Sequence, residues 1–199
     1  MSNRQHYLVP GIPDDQFLRG EVPLTKSEIR CLTLSLLRLA EGQRVLDIGA
    51  GSGGLSIECA LLLKKGSVCA VERDKEAVEL IKANLAHFEV DNVTLVEGEA
   101  PQALQGLGRF DRIMIGGSGG NLPAIIGASR KMLTSGGVLV INCILFETFS
   151  ASLELLKSSS FESISFIQAA IARSHQIGGG TALQPLNPVF IVSAVKGAC

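Results

Sequence analysis

The chain lacks an excess of either charge. Eighteen lysines and arginines stand against nineteen aspartates and glutamates in 199 residues, a formal net charge of −1. A dedicated nucleic-acid binder carries a basic surplus, so nucleic acid is not an expected partner. Histidine is scarce: three residues, far apart. The five cysteines are scattered, with no Cys-x-x-Cys pair, so no protein-bound metal is expected. Cys31, Cys59, Cys69, Cys143 and Cys199 read as reduced, mostly buried thiols of a cytoplasmic protein. Long apolar runs are missing too. The longest, Val138 to Phe146, is short and contains Asn142, which gives no bilayer span and no membrane partner. The N-terminus lacks the apolar core of a signal peptide. There is no internal repeat and no low-complexity linker. What remains is apolar, 46% hydrophobic with a mean hydropathy of +0.33. A well-filled core accounts for that composition, and so does a subunit interface.

The length favours one domain over residues 1–199, with an N-terminal arm and helix at 1–40 and an α/β core at 41–199. Residues 1–22 show little periodicity. The spacing predicts a helix from Thr25, where Thr25-Lys26-Ser27-Glu28 has the form of a capping box. Near-continuous apolar runs then alternate with helical patterns. Strands are predicted at Arg44–Ile48, Ser67–Glu72, Asn92–Val96, Phe110–Ile115 and Val138–Cys143. Helices are predicted at about 54–64, 75–88, 101–105, 121–133 and 147–158. Two closing strands follow, around Ser163–Ala172 and Pro188–Val195. Between them Arg173–Asn187 reads as a long connection containing Gly178-Gly179-Gly180.

The informative stretch is Val45-Leu46-Asp47-Ile48-Gly49-Ala50-Gly51-Ser52-Gly53-Gly54. It is a buried strand ending in a glycine-rich turn that opens a helix, where the backbone turns tightly and admits a ligand. Gly49-x-Gly51-x-x-Gly54 alone also fits a dinucleotide fingerprint. Asp47 separates the readings. At the mouth of the turn its carboxylate would orient the cationic end of S-adenosylmethionine, whereas it would repel a pyrophosphate. The closing helix and strands point the same way, to a class I S-adenosylmethionine-dependent methyltransferase fold. This is a Rossmann-like, mostly parallel seven-stranded sheet with an antiparallel last strand. Glu72 ends the second strand, where a carboxylate can accept from both ribose hydroxyls. Glu97-Gly98-Glu99-Ala100 ends the third, beside the adenine, and Ala100 is small enough to pack there. Glu99 is equally readable as a solvated loop charge. Gly116-Gly117-Ser118-Gly119-Gly120 follows the fourth strand, nearly bare of side chains, and would let a bulky substrate approach.

Further residues carry a resemblance. These are Gly11-Ile12-Pro13-Asp14-Asp15, Gly20-Glu21-Val22-Pro23-Leu24-Thr25-Lys26, Gly116 to Gly120, Ile171-Ala172-Arg173, Gly180-Thr181 and Asn187-Pro188-Val189. Together they resemble the CbiT family, the decarboxylating (cobalt-)precorrin-6B carbon-15 methyltransferases of cobalamin biosynthesis, over essentially the whole chain. Glu99 stands where that family often has Asp, and Ser174 where Gly often follows the arginine. The resemblance implies cofactor contacts at Thr25, Gly49, Ala50, Gly51, Ser52, Gly53, Glu72 and Ala100. It also implies a tetrapyrrole substrate and a homotetramer.

Methyl transfer is an in-line displacement in which the protein positions and desolvates. The resemblance implies a meso carbon of a macrocycle as nucleophile, with loss of carbon dioxide from a ring acetate. A polyacid substrate calls for arginine, whose fork matches a carboxylate. Arg173 at the head of the long connection is the first candidate, with Arg19, Arg30 and His175 behind it, and Gly117 and Ser118 as substrate-side backbone. An RNA or protein methyltransferase of the same fold stays open, as does a cofactor-binding subunit without catalysis.

Overall fold

The computed structural model describes residues 10–63 and 65–197. The first nine residues of the arm and Cys199 lie outside the described residues. Five strands alternate with α-helices except between the third and fourth: β1 (Arg44–Ile48), α2 (Gly54–Leu62), β2 (Ser67–Glu72), α3 (Lys75–His87), β3 (Val93–Glu97), β4 (Phe110–Ile115), α4 (Leu122–Met132), β5 (Leu133–Cys143) and α5 (Phe146–Ser158), with α1 (Ser27–Leu37) before them. β6 (Phe161–Ala169) and β9 (Val189–Lys196) complete a seven-stranded sheet in the order β3-β2-β1-β4-β5-β9-β6. β1 to β5 pair in parallel, and β9 inserts antiparallel between β5 and β6. This is the sheet expected from the sequence. The chain winds outward from β1 in both directions, so a crevice opens beyond the carboxyl ends of β1 and β4.

Side chains alternate across the sheet. Leu46, Ile48, Ile113, Ile115, Leu139 and Ile141 pack under α4 and α5. Val45, Val68, Met114, Val138 and Val140 pack under α1 and α2. Each fully buried aliphatic side chain contributes about 1.5–3 kcal/mol, which makes both layers rigid supports for the loops above them.

Three expectations need correction. α1 starts at Ser27, and Thr25 makes no capping bond. The orphan Ser27 N–H donates instead to Asp14 Oδ1 at 2.9 Å, so a carboxylate thirteen residues upstream displaces the local box. The predicted helix at 101–105 is one 3₁₀ turn, Gln102–Leu104. The connection from Arg173 is a β-hairpin, β7 (Ala172–Ile177) and β8 (Gly180–Pro185). Both its faces are exposed, so it shows no hydrophobic alternation. Its two-residue Gly178-Gly179 turn was the available signal.

Candidate cofactor crevice

β1 ends in a turn held to β2: the N–H groups of Gly49 and Ala50 donate to the Val71 carbonyl at 2.9 and 3.2 Å. The turn crosses the loop after β4 almost backbone to backbone. A Cβ on Gly49 would lie 2.6–2.8 Å from the Gly117 main chain. No side chain fits at Gly49, and on the facing loop a Cβ on Gly116 would lie 2.9 Å from the Gly49 carbonyl, which is why both loops carry glycine at the crossing. Gly116 N–H donates to the Ile48 carbonyl at 2.9 Å and fixes the crossing. Gly51 differs. Its φ is +58°, and a Cβ there would meet nothing nearer than the Pro23 carbonyl at 3.8 Å.

Beyond this crossing lies a cavity of about 270 Å³. Gly49, Gly51, Glu72, Ala100, Gly117 and Ser118 line it, so the structure brings six of the expected residues together. Glu72 closes one side. Its Oε2 accepts from Gly51 N–H at 2.8 Å, and its Oε1 from the N–H groups of Arg73 and Asp74 at 2.8 and 3.0 Å. A carboxylate has about four acceptor sites, so Oε2 keeps capacity for a ribose hydroxyl. Glu72 therefore fits both as a support of the turn and as a sugar ligand. The backbone cradle at Gly49 and Gly51 and this carboxylate match the needs of S-adenosylmethionine.

Ala50, Ser52, Gly53 and Thr25 do not line the cavity. Ser52 is buried, and its carbonyl accepts from the Asn84 amide at 3.3 Å, while Asn84 Oδ1 accepts from Leu18 N–H at 2.8 Å. A Cβ on Gly53 would lie 3.1 Å from Ile81. These residues shape the turn from beneath. Thr25 sits in the arm segment that crosses the turn, with Pro23 near Gly51 and Leu24 against Gly54. Its carbonyl accepts from the buried Arg30, which also pairs with Glu58 (2.7 Å) and Asp14 (2.8 Å). Arg30 is thus a structural anchor of the arm.

Asp47 is not at the mouth of the turn. It points to the α2 side of the sheet, 1% exposed, and accepts from Ser56 Oγ at 2.6 Å. Strand alternation explains this: Ile48 faces the crevice, so its neighbour faces away. Burial pushes the Asp47 carboxyl up to about 7, with the Glu72 charge adding to the rise and the Ser56 bond opposing it.

Arg173 is also outside the crevice. Its guanidinium holds Glu28 (2.8 and 2.5 Å) and Asp14 (3.0 Å), tying β7 to α1 and the arm. Sequence reasoning missed Arg73, which lines the cavity, pairs with Glu99 at 2.7 Å and packs where a Gly119 Cβ would sit. Glu99 is therefore a paired group at the rim. Among the described residues, no group of three or more His, Cys, Asp or Glu is placed to hold a metal ion. No helix among them is long and apolar enough to cross a membrane.

Comparison with known proteins gives this geometry its context. A relative from Pyrobaculum aerophilum, named "Probable cobalt-precorrin-6B C(15)-methyltransferase (decarboxylating)", is 42% identical over 191 residues, 94% of this chain and 97% of its own. The cobalt-precorrin-6B C(15)-methyltransferase (decarboxylating) of Salmonella typhimurium is 37% identical over 92% of this chain and 95% of its own. A crystal structure of a precorrin-6y C5,15-methyltransferase from Geobacter metallireducens superposes with a TM-score of 0.90 at 38% identity, covering 97% of this chain and 100% of the other. A transfer-RNA (m1A58) methyltransferase from Aquifex aeolicus shares the fold alone, with a TM-score of 0.74 at 17% identity. The model of the precorrin methyltransferase domain matches residues 16–196, and the chain belongs to that family.

Proposed function

We propose that this protein transfers the methyl group of S-adenosylmethionine to carbon 15 of a (cobalt-)precorrin-6B-like tetrapyrrole and removes one carboxyl group as carbon dioxide. The observation that carries the reading is the bare backbone crossing of Gly49 and Gly117 beside Glu72, in a chain whose full-length relatives bear that activity in their names. Bound S-adenosylmethionine supplies an electrophilic methyl group on a cationic sulfur. Gly49 and Gly51 leave room for it, Glu72 accepts from its ribose, and Ala100 packs beside its adenine. Thr25, Ala50, Ser52 and Gly53 hold the turn and its covering arm in shape. Gly117 and Ser118 keep the substrate side free of bulk, so a macrocycle can reach the methyl group in line. Arg173 sets the hairpin against α1 and the arm. The free thiols of Cys31, Cys59, Cys69 and Cys143 suit the reducing cytoplasm, and a homotetramer is the proposed assembly.

The test is a labelled-methyl assay with cobalt-precorrin-6B beside bulk transfer RNA. Label should enter the tetrapyrrole with release of carbon dioxide. Label in RNA alone, or none in the tetrapyrrole, overturns the reading.

A further inference from the structure

A second cavity, of about 200 Å³, lies beside the cofactor crevice; Gly117 and Ser118 border both. It opens at the carboxyl ends of β4 and β5. Its polar groups are Ser118, Asn142 and Thr148, all neutral, and its other lining side chains are aliphatic or the Cys143 thiol. Thr33 of α1 steadies the Asn142 amide at 3.1 Å. No acidic or basic side chain lines this cavity, whereas the cofactor crevice carries Glu72, Arg73 and Glu99. At its mouth Ile144 and Leu145 are 65% and 63% exposed, which the sheet's packing does not explain.

A subsite that must hold a carboxylate through to product uses arginine or lysine. A neutral cavity does the opposite. It strips water from the carboxylate and offers no full charge in return, only the partial charges of the α4 and α5 N-termini at Leu122 and Leu145, so the ionised form lies higher in energy than it would beside an arginine. Loss of carbon dioxide spreads that charge into a conjugated ring, so the destabilisation falls on the starting state more than on the transition state. We infer that this neutral cavity receives the carboxymethyl arm that is decarboxylated, with Ser118, Asn142 and Thr148 orienting the carboxyl through uncharged hydrogen bonds. The inference rests on the tetrapyrrole reading. In the step, the bond between methylene and carboxyl carbon breaks and its electron pair enters the conjugated macrocycle. Carbon dioxide leaves, and a proton from water returns to the carbon that gained the pair.

Placing a cation at the mouth tests this. The full chain is assayed with S-adenosylmethionine and cobalt-precorrin-6B labelled in the carboxyl carbon. Ile144→Lys should lower the KM for the tetrapyrrole and slow release of labelled carbon dioxide by about tenfold, equivalent to about 1.4 kcal/mol of barrier. Ile144→Met separates charge from size, because it should not reproduce these opposed shifts. Thr148→Lys repeats the test from the first turn of α5, with melting temperature and S-adenosylhomocysteine binding reporting the fold of each variant. Unslowed release in both folded lysine variants, beside a working wild type, overturns the cavity assignment and leaves the tetrapyrrole reading standing. A wild type that releases no carbon dioxide from this substrate overturns that reading, and the inference with it.

Discussion

Gly49 and Gly51 share a left-handed backbone, yet their neighbours give them different parts. At Gly49 the space is filled by the Gly117 main chain, so Gly49→Ala forces two loops apart. At Gly51 the space is open, and a ligand needs it. Gly51→Val should therefore abolish S-adenosylmethionine binding by filling that space, and because both positions are left-handed, it and Gly49→Ala should each lower the melting temperature. Calorimetry showing wild-type affinity in Gly51→Val would remove the turn from the site. Asp47 supports a second prediction. Its carboxyl has an ordinary value of 3.8 and titrates near 7 when folded. Between those values the unfolded chain has lost a proton that the folded chain keeps, so this group's contribution to stability falls as pH rises from about 4 to about 7. The full penalty is about 4 kcal/mol at neutral pH. Asp47→Asn keeps an acceptor for Ser56 Oγ and removes the ionisation. It should be more stable than wild type at pH 8, with the gap closing towards pH 4 in urea unfolding. A gap independent of pH would contradict the assignment.

Among the elements, the β1 turn and the alternation of strands and helices were legible because their causes are local. A buried apolar run, a glycine turn and a helical period each lie within a few residues. The antiparallel insertion of β9 was legible as well, from the helix and strand that precede it. The hairpin was hidden because neither of its faces enters a core. The start of α1 was hidden because Asp14 and Arg173 act from outside the segment: the sequence offers Glu28 a capping bond, and the fold gives it a guanidinium. That same pairing decides what Arg173 does. Its hydrogen bonds hold Glu28 at about 2, well below the usual carboxylate range. The stability this adds is present above about pH 4.5 and is lost as pH falls towards 2. Both side chains are more than a third exposed, so their coupling is about 1 kcal/mol rather than more. A double-mutant cycle with Arg173→Ala and Glu28→Ala should return that value at pH 7 and a smaller one at pH 3. If Arg173 were only a substrate ligand, the cycle would show no coupling, and turnover would fall with no change in melting temperature.

For the whole molecule, the open question lies at the β6 end of the sheet. The order ends on β6, so one edge of that strand has no partner among the described residues. Unpaired strand edges that carry apolar side chains template association, and monomers blunt them with charge or proline. β6 has such a charge, Glu162, and a register shift near its start, but further along it carries Phe166 and Ile167, 53% and 36% exposed, and the hairpin beside it in sequence carries Ile177 and Leu183, 58% and 71% exposed. A two-stranded hairpin is marginal by itself, and β7 and β8 contribute no buried residue. Arg173 secures only one end of it. The proposed tetramer would account for these features together if hairpin and edge were covered by copies of the same chain. Each large side chain so buried contributes about 1.5–3 kcal/mol, enough for a few of them to hold subunits together at micromolar concentration. Light scattering should then give a multiple of 21.0 kDa, four-fold for the proposed tetramer. Leu183→Glu or Phe166→Glu should lower that mass while leaving S-adenosylhomocysteine binding in place, since neither residue lines the cofactor crevice. A wild-type protein that scatters as a monomer at micromolar concentration would show that the exposed edge is tolerated and would end the oligomer proposal.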